Sequence, residues 1–262
     1  MKSVFQLRLV IVFLFFMFSN GMVLYAQQTP EGLSKEAKLL ERKFKEEEAI
    51  NKYGEVLIIQ PTNMNALVKI SELWGNIGMR AATAGDLFQR NISLKKANEF
   101  ANRALALDSN SAEALHAKAL LSKHFALTEE KKDLATENLR LWKEYVEKSL
   151  AANPQNPFAM HLLAQWHLTV LTKDGLNKAA AKILFGGLSN GDLPKAIILM
   201  QTCADIEPYY APNFYDLGRA YELNKEHKKA IETLERLAKL PSRRQDDATI
   251  KAEGAAYLQT LQ

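Results

Sequence analysis

Histidine is the side chain best placed to bind a metal or move a proton near neutral pH, and this chain has five among its 262 residues. His116 and His124 are eight apart, two helical turns, while His161 and His167 are six apart and fall on different faces of a helix. No His-Glu-x-x-His pattern occurs. Cys203 is the single cysteine, so there is no second thiol for a zinc site or an intramolecular disulfide. These spacings read as histidines at helix surfaces and inter-helix contacts. Gly186-Gly187 with Ser189, Asn190 and Gly191 has the small residues of a phosphate-holding loop. It lacks the Gly-Lys-Ser/Thr ending and a preceding strand, and reads as a turn between helices. Gly187-Leu188-Ser189-Asn190-Gly191 has the Gly-x-Ser-x-Gly spacing, but without a preceding strand the spacing alone does not make a nucleophile elbow, and Gly-x-Gly-x-x-Gly does not occur. Glu46, Glu47, Glu48, Glu129 and Glu130 read as solvated helix faces. The sequence therefore predicts no catalytic residue, no cofactor site and no metal site.

Tryptophans are the other candidates, because three of them could build an aromatic binding surface. Trp74 and Trp142 sit at apolar anchor positions and are expected in the core. Trp166 lies one residue before the inward His167, and either packs under the inserted segment Leu184-Phe185-Gly186 or lines a groove.

The elements that must position these residues are clearest in Ala211–Pro241. Phe214, Leu217 and Tyr221 recur at helical spacing, with Gly218 where a small residue lets a second helix approach. Asn224 and Lys225 mark a break. Ala230, Leu234 and Leu237 line a second helix, which Pro241 stops. This arrangement resembles the tetratricopeptide repeat, a pair of helices of about 34 residues.

The same register recurs upstream. Glu36–Ile59 reads as one charged helix closing at Pro61. Leu67, Ile70 and Trp74 share the next face, with Ser71 as the small residue, and Gly75, Gly78 and Gly85 are expected to loosen the chain. Leu94–Leu107 and Ala112–Phe125 follow, the latter capped by Ser111. Thr128, Glu129 and Glu130 open a helix carrying Trp142, Val146 and Ser149. After Pro157 come Met160, Leu163, Ala164 and His167; a short helix at Leu176–Leu184 is predicted next. Leu193–Ile206 restores the second-helix pattern with Ala196, Met200 and Cys203. A last helix carries Ile250, Ala252, Ala256, Tyr257 and Leu261 on its apolar side. The second helices close near residues 61, 109, 154, 208 and 241, so only the last interval has the plain repeat length. The fold expected is all-α: an α-α superhelix, a solenoid of about five helix pairs with inserted segments and a C-terminal capping helix. Each pair is too small to bury its apolar stripe alone, and stacking buries it against the next.

The N-terminus reads differently. Lys2 and Arg8 flank the start of an apolar run, Leu9–Phe18, and Ala26 precedes two glutamines. This is the layout of a secretory signal peptide cleaved after Ala26. Residues 27–33 would form a short tail and 34–262 one helical-repeat domain. Removing Lys2 and Arg8 leaves 32 basic against 30 acidic residues, a net +2. That balance gives no argument for nucleic acid. Membrane association is expected only through the signal segment, if uncleaved.

One stretch is more specific. His161-Leu162-Leu163-Ala164-Gln165-Trp166-His167, then Ala179–Gly187, Lys195-Ala196-Ile197 and Leu217–Tyr221, resemble the regulator of microtubule dynamics family and its bacterial relatives. In that family a His-Leu-Leu-Gly-x-Trp helix and an inserted Leu-Phe-Gly segment recur; here Ala164 stands where Gly is usual. The resemblance implies the fold, and its microtubule association is not carried over to an exported chain. A similar layout occurs in the periplasmic tetratricopeptide partner of some solute transporters (the TRAP-associated type), which implies an alternative: a periplasmic solute-binding accessory with a pocket near Phe185–Asn190. The first expectation is a periplasmic, non-catalytic scaffold that binds a protein or peptide on a concave face lined by first helices. Polar or aromatic residues beside the anchors are the candidate groove positions: Asn76, Lys118, Gln165, Trp166, Asn213, Asp216 and Arg219.

Overall fold

The computed structural model describes residues 29–172 and 190–262. Among them there are eleven helices and no strand. The signal-peptide segment, the short helix predicted at Leu176–Leu184 and the turn at Gly186-Gly187 lie outside the described residues. The chain forms two compact units, Met1–Ala66 and Leu67–Gln262.

The first unit contains α1 (Pro30–Arg42) and α2 (Glu46–Ile59), which pack on each other. This corrects two expectations. The segment expected to be a tail is helical from Pro30, where the Thr29 hydroxyl accepts the Gly32 N–H (3.1 Å) and a proline at the first helical position needs no partner for a missing N–H. The single helix expected over Glu36–Ile59 is instead broken at Lys43–Lys45, with Phe44 at φ 61°. One long helix would leave its apolar stripe uncovered; folding it back buries Leu33 and Ala37 of α1, and Ala49, Tyr53 and Val56 of α2. Hydrophobic burial offsets the strain of a phenylalanine in the left-handed region. The Tyr53 hydroxyl donates to Glu41 across the pair at 2.6 Å.

The second unit is a stack of antiparallel hairpins: α3 (Met64–Thr83) with α4 (Leu87–Leu107), α5 (Ala112–Thr128) with α6 (Lys132–Ala152), α7 (Pro157–Thr172) with α8 (Leu193–Ile206), and α9 (Ala211–Leu223) with α10 (His227–Lys239). The last helix, α11 (Asp247–Leu261), covers α9 and α10. This is the α-α superhelix that the repeat register predicts. First helices also touch first helices of the next hairpin, α5 with α7 and α7 with α9. The small anchors work as expected: a Cβ on Gly218 would lie 2.8 Å from Leu234 of α10. The serine anchors add a hydrogen bond, Ser71 to the Ala97 carbonyl (2.9 Å) and Ser149 to the Ala112 carbonyl (2.8 Å).

Between α6 and α7 the seam is closed by two tryptophans, both fully buried. Trp142 donates its indole N–H to the Leu162 carbonyl (3.1 Å), and Trp166 donates to the Leu139 carbonyl (2.8 Å). Each ring fills the core with its body and satisfies its one donor on the opposite helix. Leu139, Val146, Ala159, Leu162 and Leu163 complete this cluster.

Other expectations need correcting. Gly75 and Gly78 do not loosen α3, which runs on to Thr83. They are contact points: a Cβ on Gly75 would lie 3.1 Å from His124 of α5, and one on Gly78 would lie 2.9 Å from Leu94 of α4. Only Gly85, at φ 78°, interrupts the chain. Trp74 is half-buried, with the Lys96 ammonium 3.9 Å from its ring centre, so it is not a core residue. Thr128 ends α5 and does not open α6, which starts at Lys132; its hydroxyl bonds back to the His124 carbonyl at 2.8 Å. On α11, Ala252 and Ala256 are exposed, and the buried side runs through Ile250, Gly254, Tyr257, Leu258 and Leu261.

Candidate functional site: a polar network across the first helices

The faces of α3, α5, α7 and α9 that point away from the seams carry polar side chains linked from hairpin to hairpin. On α3, Glu72 accepts from Lys69 at 2.8 Å and lies 3.5 Å from the His116 ring of α5. One helical turn pair further along α5, Lys123 donates to the Gln165 carbonyl oxygen of α7 at 2.8 Å. Gln165 turns its amide N–H to Asp216 of α9 at 2.7 Å, and His161 Nε2 meets the same carboxylate oxygen at 2.9 Å. The other oxygen of Asp216 lies 3.6 Å from the Arg219 guanidinium.

Burial sets the protonation states. Burial outweighs the attraction of Asp216 and holds His161 below its ordinary value, so the ring is neutral and donates its Nε2–H to the carboxylate. Burial alone would push the Asp216 carboxyl up. The hydrogen bonds from His161 and Gln165 and the charge of Lys123 outweigh it and bring Asp216 below its ordinary value. Glu72 follows the same pattern, with Lys69 and His116 outweighing burial. Lys123 is pulled down by burial, against the opposing charge of Asp216. The carboxylates are ionised, and the neutral imidazole holds one of them in place.

The network is closed by the loop between α10 and α11. Asp247 is buried and accepts the backbone N–H groups of Arg243 (2.7 Å) and Arg244 (2.9 Å). That fixes the loop so that Asp246 takes both its oxygens to Arg80 of α3, at 3.0 Å each. Arg244 stacks over Phe158 (4.8 Å) and Tyr210 (4.4 Å), and these two rings meet edge to face. The His161 ring meets Tyr210 in the same way. Burial pushes the Tyr210 hydroxyl up to about 12, so it is a neutral donor.

The structure brings together three of the residues predicted to line the groove: Gln165, Asp216 and Arg219. Lys118 is tied away from it, donating to Asn98 and Asn102 of α4 at 2.9 Å each. Trp166 and Asn213 are corrections. Both are fully buried, Trp166 in the α6–α7 seam and Asn213 donating to the Met200 carbonyl of α8. Trp166 sits one position past Gln165, where the helix turns it inward, and Asn213 lies a turn before Asp216 against α8. Asn76 is half-buried on α3 and makes none of the network's contacts.

Sequence reasoning missed Glu72, His116, Lys123, His161, Tyr210 and Arg244. The signal for four of them was the register itself. Glu72, Gln165 and Arg219 each directly follow the small anchor of their helix; His116 and His161 precede theirs by three; Lys123 follows its own by four. Those offsets share one helical face. Tyr210 and Arg244 lie outside the first helices and carry no such signal. No group of three or more His, Cys, Asp or Glu side chains suited to a metal occurs among the described residues. The Cys203 thiol is buried, which pushes it up to about 12 and leaves it protonated and unreactive. The alternative pocket near Phe185 falls largely outside the described residues.

The family profile of regulator of microtubule dynamics protein 1-3 matches residues 33–262. Regulator of microtubule dynamics protein 1 from Mus musculus is 26% identical over 125 residues, 47% of this chain and 41% of that protein. The Bos taurus protein of the same name is 26% identical over 122 residues, 46% of this chain and 38% of that one. The matched stretch thus spans about two-fifths of the length of these curated relatives. Among solved structures, a thermophilic TPR protein from Thermus thermophilus superposes with TM-score 0.61 at 12% identity, covering 88% of this chain and 100% of that one. Pseudomonas aeruginosa pilF superposes with TM-score 0.51 at 11% identity, covering 88% and 91%. These likenesses are of fold.

Proposed function

This chain belongs to the regulator of microtubule dynamics protein 1-3 family, and from that premise we propose that it is an exported, non-catalytic scaffold that holds an extended protein segment along the first-helix face. A tetratricopeptide-like stack is a protein- or peptide-binding architecture in general. The observation that carries the reading here is the linked set Lys123–Gln165–Asp216–His161, which places buried, oriented polar groups from three hairpins on one face. A seam between helices needs apolar surface, and such a polar alignment adds little to folding that leucines would not. It is suited to reading the backbone and side chains of a segment laid across it. The His161–Asp216 pair is engaged in holding Gln165, which supports a binding role over a proton-transfer role.

Export rests on the charged-then-apolar pattern of residues 1–26, and N-terminal sequencing of protein from its native host tests it: a mature chain starting at Gln27 is expected, and a chain retaining Lys2 and Arg8 in the soluble cytoplasmic fraction overturns it. The binding face is tested by placing a photo-crosslinking amino acid at Arg219, at the network's rim, or at Lys228, whose side chain is 91% exposed on α10. Capture of a discrete protein at position 219 and not at 228 is expected. Capture at 228 alone would move the binding face to the outer helices and overturn the reading.

A further inference from the structure

Among the described residues the network's anions are occupied and two of its cations have no anionic partner. Glu72 is engaged by Lys69 and His116, and Asp216 by His161, Gln165 and Arg219. Lys123 has three ammonium donors and uses one on a neutral amide, Gln165. Its link to Asp216 runs through that amide and not through a direct ion pair. Arg244 lies over two aromatic rings and has no carboxylate within ion-pair distance among the described residues, which leaves its guanidinium fork open. Its backbone N–H is fixed by Asp247, so the charge is held in place. Both cations, Lys123 and Arg244, are felt at the His161 ring. Tyr210, against the same ring, brings a neutral hydroxyl.

We propose that Lys123 and Arg244 form an anion-reading subsite that takes the carboxylate of an acidic residue in an extended peptide, with Tyr210 as an additional donor. The proposal rests on the groove being a peptide-binding face. Two charge-assisted hydrogen-bond donors suit a planar monoanion, and the arginine fork accepts a carboxylate edge-on. The ionised Asp216 and Glu72 nearby oppose a dianion, so a phosphate is disfavoured. Phe158 and Tyr210 give the flanking residue an apolar wall beside the charge.

The test uses the full mature chain and an immobilised library of capped octapeptides with Glu, Gln or Lys fixed at the fourth position and neutral residues elsewhere. At low ionic strength Glu peptides should be retained about tenfold over Gln peptides, the factor for one charge-assisted hydrogen bond. Raising the salt should erase that preference. Arg244→Gln, a change at an exposed side chain that should leave the chain folded by its thermal melt, should lower the Glu preference about fivefold, with Arg244→Lys restoring part of it. Lys123→Gln should do the same where its melt shows a folded chain. Equal retention of Glu and Gln peptides would overturn the subsite and leave the peptide groove standing. Retention of no peptide in the library would overturn both. Saturable uptake onto anionic phospholipid vesicles, blocked by Arg244→Gln and without any Glu preference in the library, would reassign the two cations to a lipid headgroup.

Discussion

Gln165 and Trp166 are neighbours on α7 and belong to different parts of the protein. Trp166 is fully buried in the seam with α6 and gives its N–H to Leu139. Gln165 points to the other side and bridges Lys123 to Asp216. The seam is apolar with isolated, satisfied donors, and the groove is polar with connected ones. The seam supplies the free energy that holds the hairpins together, because apolar area removed from water grows with each stacked pair. The groove contributes arrangement: a fixed pattern of charge that the stack can hold because stability comes from elsewhere.

Breaking the seam should have the largest effect. Trp166→Ala removes a fully buried indole and its hydrogen bond to the Leu139 carbonyl, and should destabilise the protein by about 3–5 kcal/mol. Chemical denaturation should show the midpoint falling sharply. A loss below 1 kcal/mol would mean that α6 and α7 are held by something other than this seam.

Acid should act next, also through the stack. His124 packs against Gly75, its Nδ1 has no partner, and burial, with the charge of Lys123 adding to it, lowers its pKa to about 3. Below pH 6.5 the unfolded chain therefore binds a proton that the folded chain refuses until about pH 3. Stability present above the unfolded value is lost as pH falls through that window, by about 2 kcal/mol between pH 7 and pH 5 for this one residue. In His124→Asn that share disappears, so the difference between the two proteins' thermal midpoints should narrow from neutral to acid pH. An unchanged difference would place the acid sensitivity elsewhere.

The smallest effect should come from the groove. Gln165→Ala removes two hydrogen bonds to charged groups, yet the buried Asp216 keeps its bond from His161 and Lys123 is only half-buried, so the cost should be about 1.5 kcal/mol. The variant should melt near the wild type while losing crosslinks at position 219. A loss as large as that of Trp166→Ala would collapse the distinction between the two faces.

The hairpins were legible from the sequence because their signals are local. Leu193–Ile206 has the predicted bounds, and Phe214, Leu217, Gly218 and Tyr221 are buried as their spacing implied. Failures occurred where a neighbour from far along the chain overrides local preference. Gly75 and Gly78 look like breakers until His124 and Leu94 are seen against them. The charged stretch from Glu36 reads as one helix until its two halves have each other to pack on. Trp166 was assigned to the groove beside Gln165, a one-position error that on a helix rotates a side chain by about 100° and moves it from one face to the other.

By itself the sequence determined that this chain is helical, paired and stacked, since a 3.6-residue apolar period with small residues recurring in register needs a second helical surface against each stripe. Tertiary structure alone decided which polar residues meet. Asp246 finds Arg80 across 166 positions, Asp216 finds His161 across 55, and Arg244 reaches Phe158 and Tyr210 only because Asp247 fixes its loop. Apolar burial is non-directional and needs only the right period. A hydrogen bond needs its donor and acceptor within about 3 Å, and that distance is set only when the whole stack closes.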